Sequence, residues 1–197
     1  SRGPQCIDYW LYEDGMSDTD ERRAWGEEVL VKDKAGKVVD NYYVNNKFGY
    51  ANATTGVADM INMRAEEMLI TLAECKCRKG EYADARALLE ELYAKRYTAK
   101  RDISSLTDSD EVSLDTHIAP VTLIDEILLQ RRIELWCEGM GRVPDLRRLN
   151  LGYSRSEQQS EPTDAKPNDP RFIFKIPLKE FDSNTALDMS KDQNYTS

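Results

Sequence analysis

The hydrophobic pattern of this chain changes character near residue 57. Beyond that point Ile61, Ala65, Met68, Leu69, Leu72 and Cys75 recur in steps of three and four, the spacing of one helical face. Gly80 closes that helix, as suits a residue able to turn left-handed just past a helix end. Tyr82, Ala85, Leu88, Leu89, Leu92 and Tyr93 then repeat the spacing to about Arg96, and so short a connection predicts two antiparallel neighbours. Residues 98–119 are polar, rich in Ser, Thr and Asp, and read as a loop. Thr122, with Asp125 in capping-box position, is the expected N-cap of a third helix running from about Leu123 to Glu138. Ile124, Leu128 and Leu135 line one side of it, and Leu129, Ile133 and Trp136 lie towards the other. A helix apolar on two sides is predicted to be sandwiched.

Outside these helices the pattern is weaker. Residues 1–56 hold short apolar pieces broken by Gly15, Gly26, Gly36, Gly49 and Gly56, and read as irregular. Within them, Val29-Leu30-Val31 and Lys37-Val38-Val39 flank the turn-forming Asp33-Lys34-Ala35-Gly36, which predicts a short hairpin. Residues 150–170 read as a long surface loop and 171–177 as a short extended piece. Leu178 to Phe181 should form one turn, followed by a loose polar tail from Ala186. Gly80-x-Tyr82-x-x-Ala85, preceded by Leu72-Ala73, resembles the inner turn of a tetratricopeptide unit, where small residues such as Ala73 and Ala85 let two helices approach. One such unit cannot bury its faces without neighbours. The expected fold is mainly α, with tetratricopeptide-like helical pairs, long irregular loops and a few short strands. The expected division is an aromatic-rich front segment, 1–56, and a helical region with an extended tail, 57–197.

Composition narrows the function classes. Lys and Arg number 27 against 36 Asp and Glu, a net charge of −9, which repels phosphate backbones and argues against nucleic acid as a partner. No apolar run approaches the ~18 residues a membrane span needs. The chain starts without an initiator Met, a basic n-region or an apolar h-region, so a processed protein or a fragment is expected. Cys6, Cys75, Cys77 and Cys137 are too scattered for a disulfide framework. His117 is the only histidine, so four zinc ligands do not converge from the pattern, and Cys75 is expected to pack as a small hydrophobe. Asp14, Asp18, Asp20 and Glu21 could hold calcium, but their spacing is not that of an EF-hand loop and a solvated acidic loop is the simpler reading. No metal or cofactor is predicted.

Arg131, Glu134 and Glu138 fall at i, i+3 and i+7 beside an apolar stripe. They read as a structural ion-pair cluster, together with Asp145 and Arg148 of the following turn, or as a solvated charged edge. A catalytic carboxylate pair needs a pocket and opposed pKa shifts, and the sequence points to neither.

Three segments together resemble the SusD/RagB family of Bacteroidetes glycan-utilisation systems. The first is Met63-Arg64-Ala65-Glu66-Glu67-Met68-Leu69-Ile70-x-x-Ala73-Glu74. The second is Arg131-Arg132-Ile133-Glu134-Leu135-Trp136-x-Glu138-Gly139, followed by Asp145-Leu146-Arg147-Arg148-Leu149. The third is Phe174-x-Ile176-Pro177-x-x-Glu180 with Asn184 and the terminal Gln193-Asn194. Their order and spacing carry the resemblance across about residues 47–197. Met140-Gly141-Arg142-Val143-Pro144 departs from it, standing where many members have a shorter, aromatic-containing turn. The resemblance implies the closing part of a longer surface lipoprotein of the outer membrane. Such a protein binds oligosaccharide or another nutrient without chemistry and passes it to a TonB-dependent, SusC-like transporter. Cys6 lacks an apolar lead-in, so it is not read as the lipid-anchored residue, and the anchor is expected outside this chain.

Sugars present apolar C–H faces with hydroxyl rims, so their sites pair flat aromatic rings with short polar groups. Of 17 aromatic residues (3 Trp, 10 Tyr and 4 Phe), Tyr9, Trp10, Tyr12, Trp25, Tyr42, Tyr43, Phe48 and Tyr50 crowd the front segment, which makes it the expected ligand side. Trp10, Tyr12, Trp25 and Tyr43 are the candidate sugar contacts, with core packing as the competing reading for each. A tetratricopeptide-type scaffold that binds a protein partner and no sugar is the alternative function. An enzyme is not expected, because no nucleophile–histidine pairing or phosphate loop accompanies the scattered carboxylates.

Overall fold

Two helices and a short Gly-containing turn organise the centre of the computed structural model, which describes residues 6–48, 62–113, 119–138, 142–154 and 164–194. Ile61, Tyr50, His117 and Gly139 to Gly141, which figured in the expectations above, lie outside the described residues. Helix α1 (Ala65–Arg78) and helix α2 (Tyr82–Arg96) are antiparallel neighbours. Between them Gly80 adopts φ +77°, and the Glu81 N–H donates to the Lys76 carbonyl at 3.0 Å while the Gly80 N–H donates to Cys77 at 2.9 Å. This paired closure satisfies carbonyls the ending helix would otherwise orphan.

The inward face of α1 differs from the expected stripe. Ala65, Met68, Leu72 and Cys75 are exposed, whereas Ile70, Ala73 and Cys77 are buried beside Ala85, Leu89 and Leu92 of α2. The reason is size: small residues at 73, 77 and 85 let the two backbones close together, and the bulkier Met68 and Leu72 are turned outward. Cys75 therefore is not the packed thiol, and Cys77 is.

Helix α3 (Leu123–Glu134) begins where expected, with the Thr122 hydroxyl accepting from the Asp125 N–H at 3.2 Å. It ends about a turn earlier than predicted, and Cys137 beyond it takes φ +63°. Its two apolar sides serve two cores. Leu123, Ile124 and Ile127 join the α1–α2 core together with Ile103 and Tyr97. Leu129 and Ile133 join a second core built by the front segment, from Ile7, Leu11, Tyr12, Met16 and Tyr43.

That front segment is more regular than its broken pattern suggests. Strands β1 (Cys6–Ile7), β2 (Gly26–Lys32) and β3 (Val38–Asn45) make an antiparallel sheet in the order β1-β3-β2. The hairpin turns at Asp33–Gly36, where the Asp33 carboxylate accepts from the N–H groups of Ala35 and Lys37 at 2.8 and 2.9 Å. Farther on, helix α4 (Arg142–Arg148) leads to a small ladder of β4 (Tyr153–Ser154) with β5 (Asp164–Ala165). Short helices α5 (Leu178–Ser183) and α6 (Met189–Asp192) follow, so the tail carries more structure than a loose polar segment. The Gln193 side-chain amide fastens both backbone groups of Ile176, accepting from N–H at 2.8 Å and donating to C=O at 3.2 Å.

Candidate functional site

Three side chains of α3 repeat every four residues between its apolar faces: Glu126, Gln130 and Glu134, all buried. Four-residue spacing stacks them in one line, and each is met by long side chains from elsewhere. Glu126 accepts from the Tyr93 hydroxyl at 2.7 Å and from Arg101 at 2.8 and 2.9 Å. Gln130 donates to Glu126 at 2.9 Å and to Tyr97 at 3.0 Å, and it accepts from Arg22 at 2.6 Å. Glu134 accepts from Arg22 at 3.1 Å, from Arg64 at 2.7 Å and from Arg96 at 2.8 and 3.0 Å. Burial would push the Glu134 carboxyl up, but the hydrogen bonds from Arg96 and Arg64 and the charge of Arg22 outweigh it and hold it down at about 2.

Arg22 comes from the front segment and is 1% exposed. Asp20 orients it, accepting from its Nε and Nη2, each at 2.8 Å. This also withdraws Asp20 from the acidic group considered for calcium, and among the described residues no three His, Cys, Asp or Glu side chains converge as a metal site. Lys47 and Arg64 close the end of α3, Lys47 donating to the carbonyls of Glu134 and Trp136 at 2.6 and 3.0 Å and Arg64 to that of Glu134 at 2.7 Å. Cations there suit the negative end of the helix dipole. Glu138 pairs with Arg64 at 2.7 Å and with Lys47.

The five charged residues predicted to cluster are thus divided between two networks. Glu134 and Glu138 belong with Arg22, Arg64, Arg96 and Lys47. Arg131 and Arg148 instead hold Asp145, at 2.9 and 2.8 Å, and Arg148 also grips both oxygens of Glu74 at 2.6 and 2.8 Å. The partners that the sequence reading missed come from segments far apart in the chain. The four-residue spacing of Glu126, Gln130, Glu134 and Glu138 between two apolar stripes was the available signal.

Of the four candidate sugar contacts, Tyr12 and Tyr43 are core residues. Their rings stack with centroids 3.8 Å apart, leaving 8% and 4% exposure, and their hydroxyls donate to the Arg23 carbonyl and to Glu13. The front segment needed a filled core beneath its sheet, and these tyrosines supply it. Trp25 is half-buried with the Lys47 ammonium 4.2 Å from its ring centre. Trp10, also half-buried, lines the wall of a cleft.

That cleft has a volume of about 550 Å³. Trp10, Val121, Leu128 and Leu129 supply its apolar wall, and Thr122, Asp125 and Arg132 supply polar groups. A second cavity of about 420 Å³, lined by Trp136, Tyr153, Phe172 and Asp8 among others, shares Arg132 and Arg142 with the first. Burial and the neighbouring Arg132 charge bring the Arg142 guanidinium down to about 9, so it stays cationic at neutral pH. Volumes of this order are those of small-ligand sites.

Residues 32–195 match the SusD family. This chain belongs to the SusD family. The match spans the polar line of α3, the helix pair and the tail fastened by Gln193. A solved structure agrees in fold: a SusD-like carbohydrate binding protein from Bacteroides vulgatus superposes with a TM-score of 0.65 at 21% identity. The superposition covers 92% of this chain and 41% of that protein, so the chain spans less than half the length of that SusD-like protein. Among curated proteins, none matches the chain. This SusD family chain is mostly helical, as its sequence pattern predicts.

Proposed function

We propose that this protein is a non-enzymatic glycan-binding protein of the outer-membrane surface that delivers oligosaccharide to a TonB-dependent transporter. The observation that carries the binding step is the cleft whose lining combines the indole of Trp10 with the polar residues Thr122 and Asp125. An aromatic ring covers the apolar face of a pyranose while short polar groups take its hydroxyls. Family membership, and the relative described as carbohydrate binding, support the same reading.

The state of the buried carboxylates supports binding without chemistry. General acid–base work needs a group that exchanges its proton near neutral pH, whereas Glu134 is held ionised by three arginines. Family membership supports attachment at the outer membrane through a lipid anchor; among the described residues no helix is long and apolar enough to cross a membrane. One observation favours a tetratricopeptide-type scaffold instead: Met68 and Leu72 on the outer face of α1 are 46% and 48% exposed, an apolar strip suited to a protein partner.

Calorimetric titration of oligosaccharides, first mapped on a glycan array, tests the proposal with wild type and Trp10→Ala. Glycan binding weakened at least tenfold by Trp10→Ala is the expected result. Absence of any glycan binding alongside tight peptide binding would overturn it in favour of the scaffold.

A further inference from the structure

The hairpin of the front segment ends in an arm that the described remainder of the fold leaves bare. From Leu30 to Asp40 every residue is exposed, including Leu30, Val31, Val38 and Val39. Strand β2 forms an outer edge of the sheet β1-β3-β2, and among the described residues no further strand pairs with it. The register shift between Val31 and Lys32 places its extra residue, Val39, on β3, so β2 itself runs without a bulge from Gly26 to Lys32. A regular, partly apolar edge is a template for another strand, and charges or bulges commonly guard such edges. The charges on β2 are Glu27, Glu28 and Lys32. Among the described residues Lys32 has no ion-pair partner, and Glu28 accepts from the Asn41 amide at 2.9 Å.

We propose that a second copy of this chain occupies the edge, paired antiparallel along β2 about a two-fold axis through Leu30. Backbone groups that face the open side recur at every second residue. Residues opposed across the pair therefore lie an even number apart in sequence, and the axis must pass through a residue. An axis at Val29, the midpoint of the strand, opposes Glu28 with Leu30, Glu27 with Val31 and Gly26 with Lys32, and matches no charges. An axis at Leu30 opposes Leu30 with itself, Val29 with Val31 and Glu28 with Lys32, and symmetry makes the last two contacts twice. Opposite charges and apolar side chains directly across a pair are the contacts that stabilise a sheet. Glu27 then comes level with Asp33, but Asp33 lies past the strand, with its carboxylate turned back to the Ala35 and Lys37 N–H groups. The charges that guard the edge against a foreign strand thus complement those of an identical one. The two sheets join in the order β1-β3-β2-β2-β3-β1, whatever the cleft binds. So short an edge buries less than a standard interface, which makes the dimer a weak, concentration-dependent one.

The experiment is sedimentation equilibrium of the full chain at low salt, from roughly 5 µM to roughly 500 µM, the range in which a small interface shows itself. Wild type should pass from monomer to dimer as concentration rises. Glu28→Lys sets lysine against lysine, and Lys32→Glu sets glutamate against glutamate, at two places in each dimer, so each should weaken association about tenfold. An equimolar mixture of those two variants rebuilds both opposite-charge pairs, and so does the double variant, so both should regain wild-type association. Both positions are exposed, and circular dichroism should show every variant folded. A monomer at all concentrations, a dimer indifferent to the single reversals, or a mixture that fails to recover overturns the inference. So does a monomer whose outward β2 amides resist hydrogen exchange, because another segment or partner then covers the edge.

Discussion

Replacing Glu134 by Gln keeps the shape of the side chain and removes the charge on which Arg22, Arg64 and Arg96 converge. The carboxyl is held at about 2 against an ordinary 4.5. At ~1.4 kcal/mol per pKa unit that gap corresponds to about 3 kcal/mol. Removing one partner of a buried ion cluster costs ~3–5 kcal/mol, which agrees in scale. A chain of this size loses roughly 2–4 °C of midpoint per kcal/mol, so Glu134→Gln should melt roughly 10 °C below wild type by calorimetry at neutral pH. The pH dependence gives a second, sharper readout. A carboxyl with a depressed folded pKa contributes its full stability above the unfolded value near 4.5, and loses it as pH falls towards about 2. The stability difference between wild type and Glu134→Gln should be level above pH ~5 and shrink steadily on acidification. A variant melting within roughly 2 °C of wild type, or a difference that does not shrink in acid, would refute the reasoning.

Two further predictions follow from the helix pair. Gly80→Ala should lower stability by about 1 kcal/mol in urea unfolding, because φ is +77° while nothing lies within 4 Å of the added Cβ, so the cost is backbone alone; Gly80→Asn should cost less, and an unchanged urea midpoint in the Ala variant would count against this. Iodoacetamide applied to the native protein should label the exposed Cys75 well before Cys77, which is fully buried and whose thiol burial raises to about 11; equal labelling by peptide mass spectrometry would contradict the assigned α1 face.

The helices were legible in the sequence where one signal dominated. Gly80 and the Thr122 cap mark their boundaries by local chemistry, and α2 is buried on the residues its spacing picks out. Helix α1 was misread in phase because Met68 and Leu72 are the more hydrophobic residues, whereas close packing with α2 selects the smaller Ala73 and Cys77. The aromatic crowd in the front segment was visible, but spacing alone cannot separate Tyr12 and Tyr43, which stack inside, from Trp10, which reaches a cleft. Arg22 is the plainest example of what stayed hidden. It sits in a short helical turn with no periodicity to flag it, and its partners Tyr97, Gln130 and Glu134 are 75, 108 and 112 residues away.

Helix α3 touches both cores and carries the polar line between them, and this makes it intolerant of insertion. One extra residue after Glu126 would rotate everything beyond it by about 100°. Leu129 and Ile133 would leave the front-segment core, and Glu134 would swing away from its three arginines, in a single step. Across relatives, length variation should therefore stop at the ends of this helix, which acts as the ruler against which the other segments are aligned.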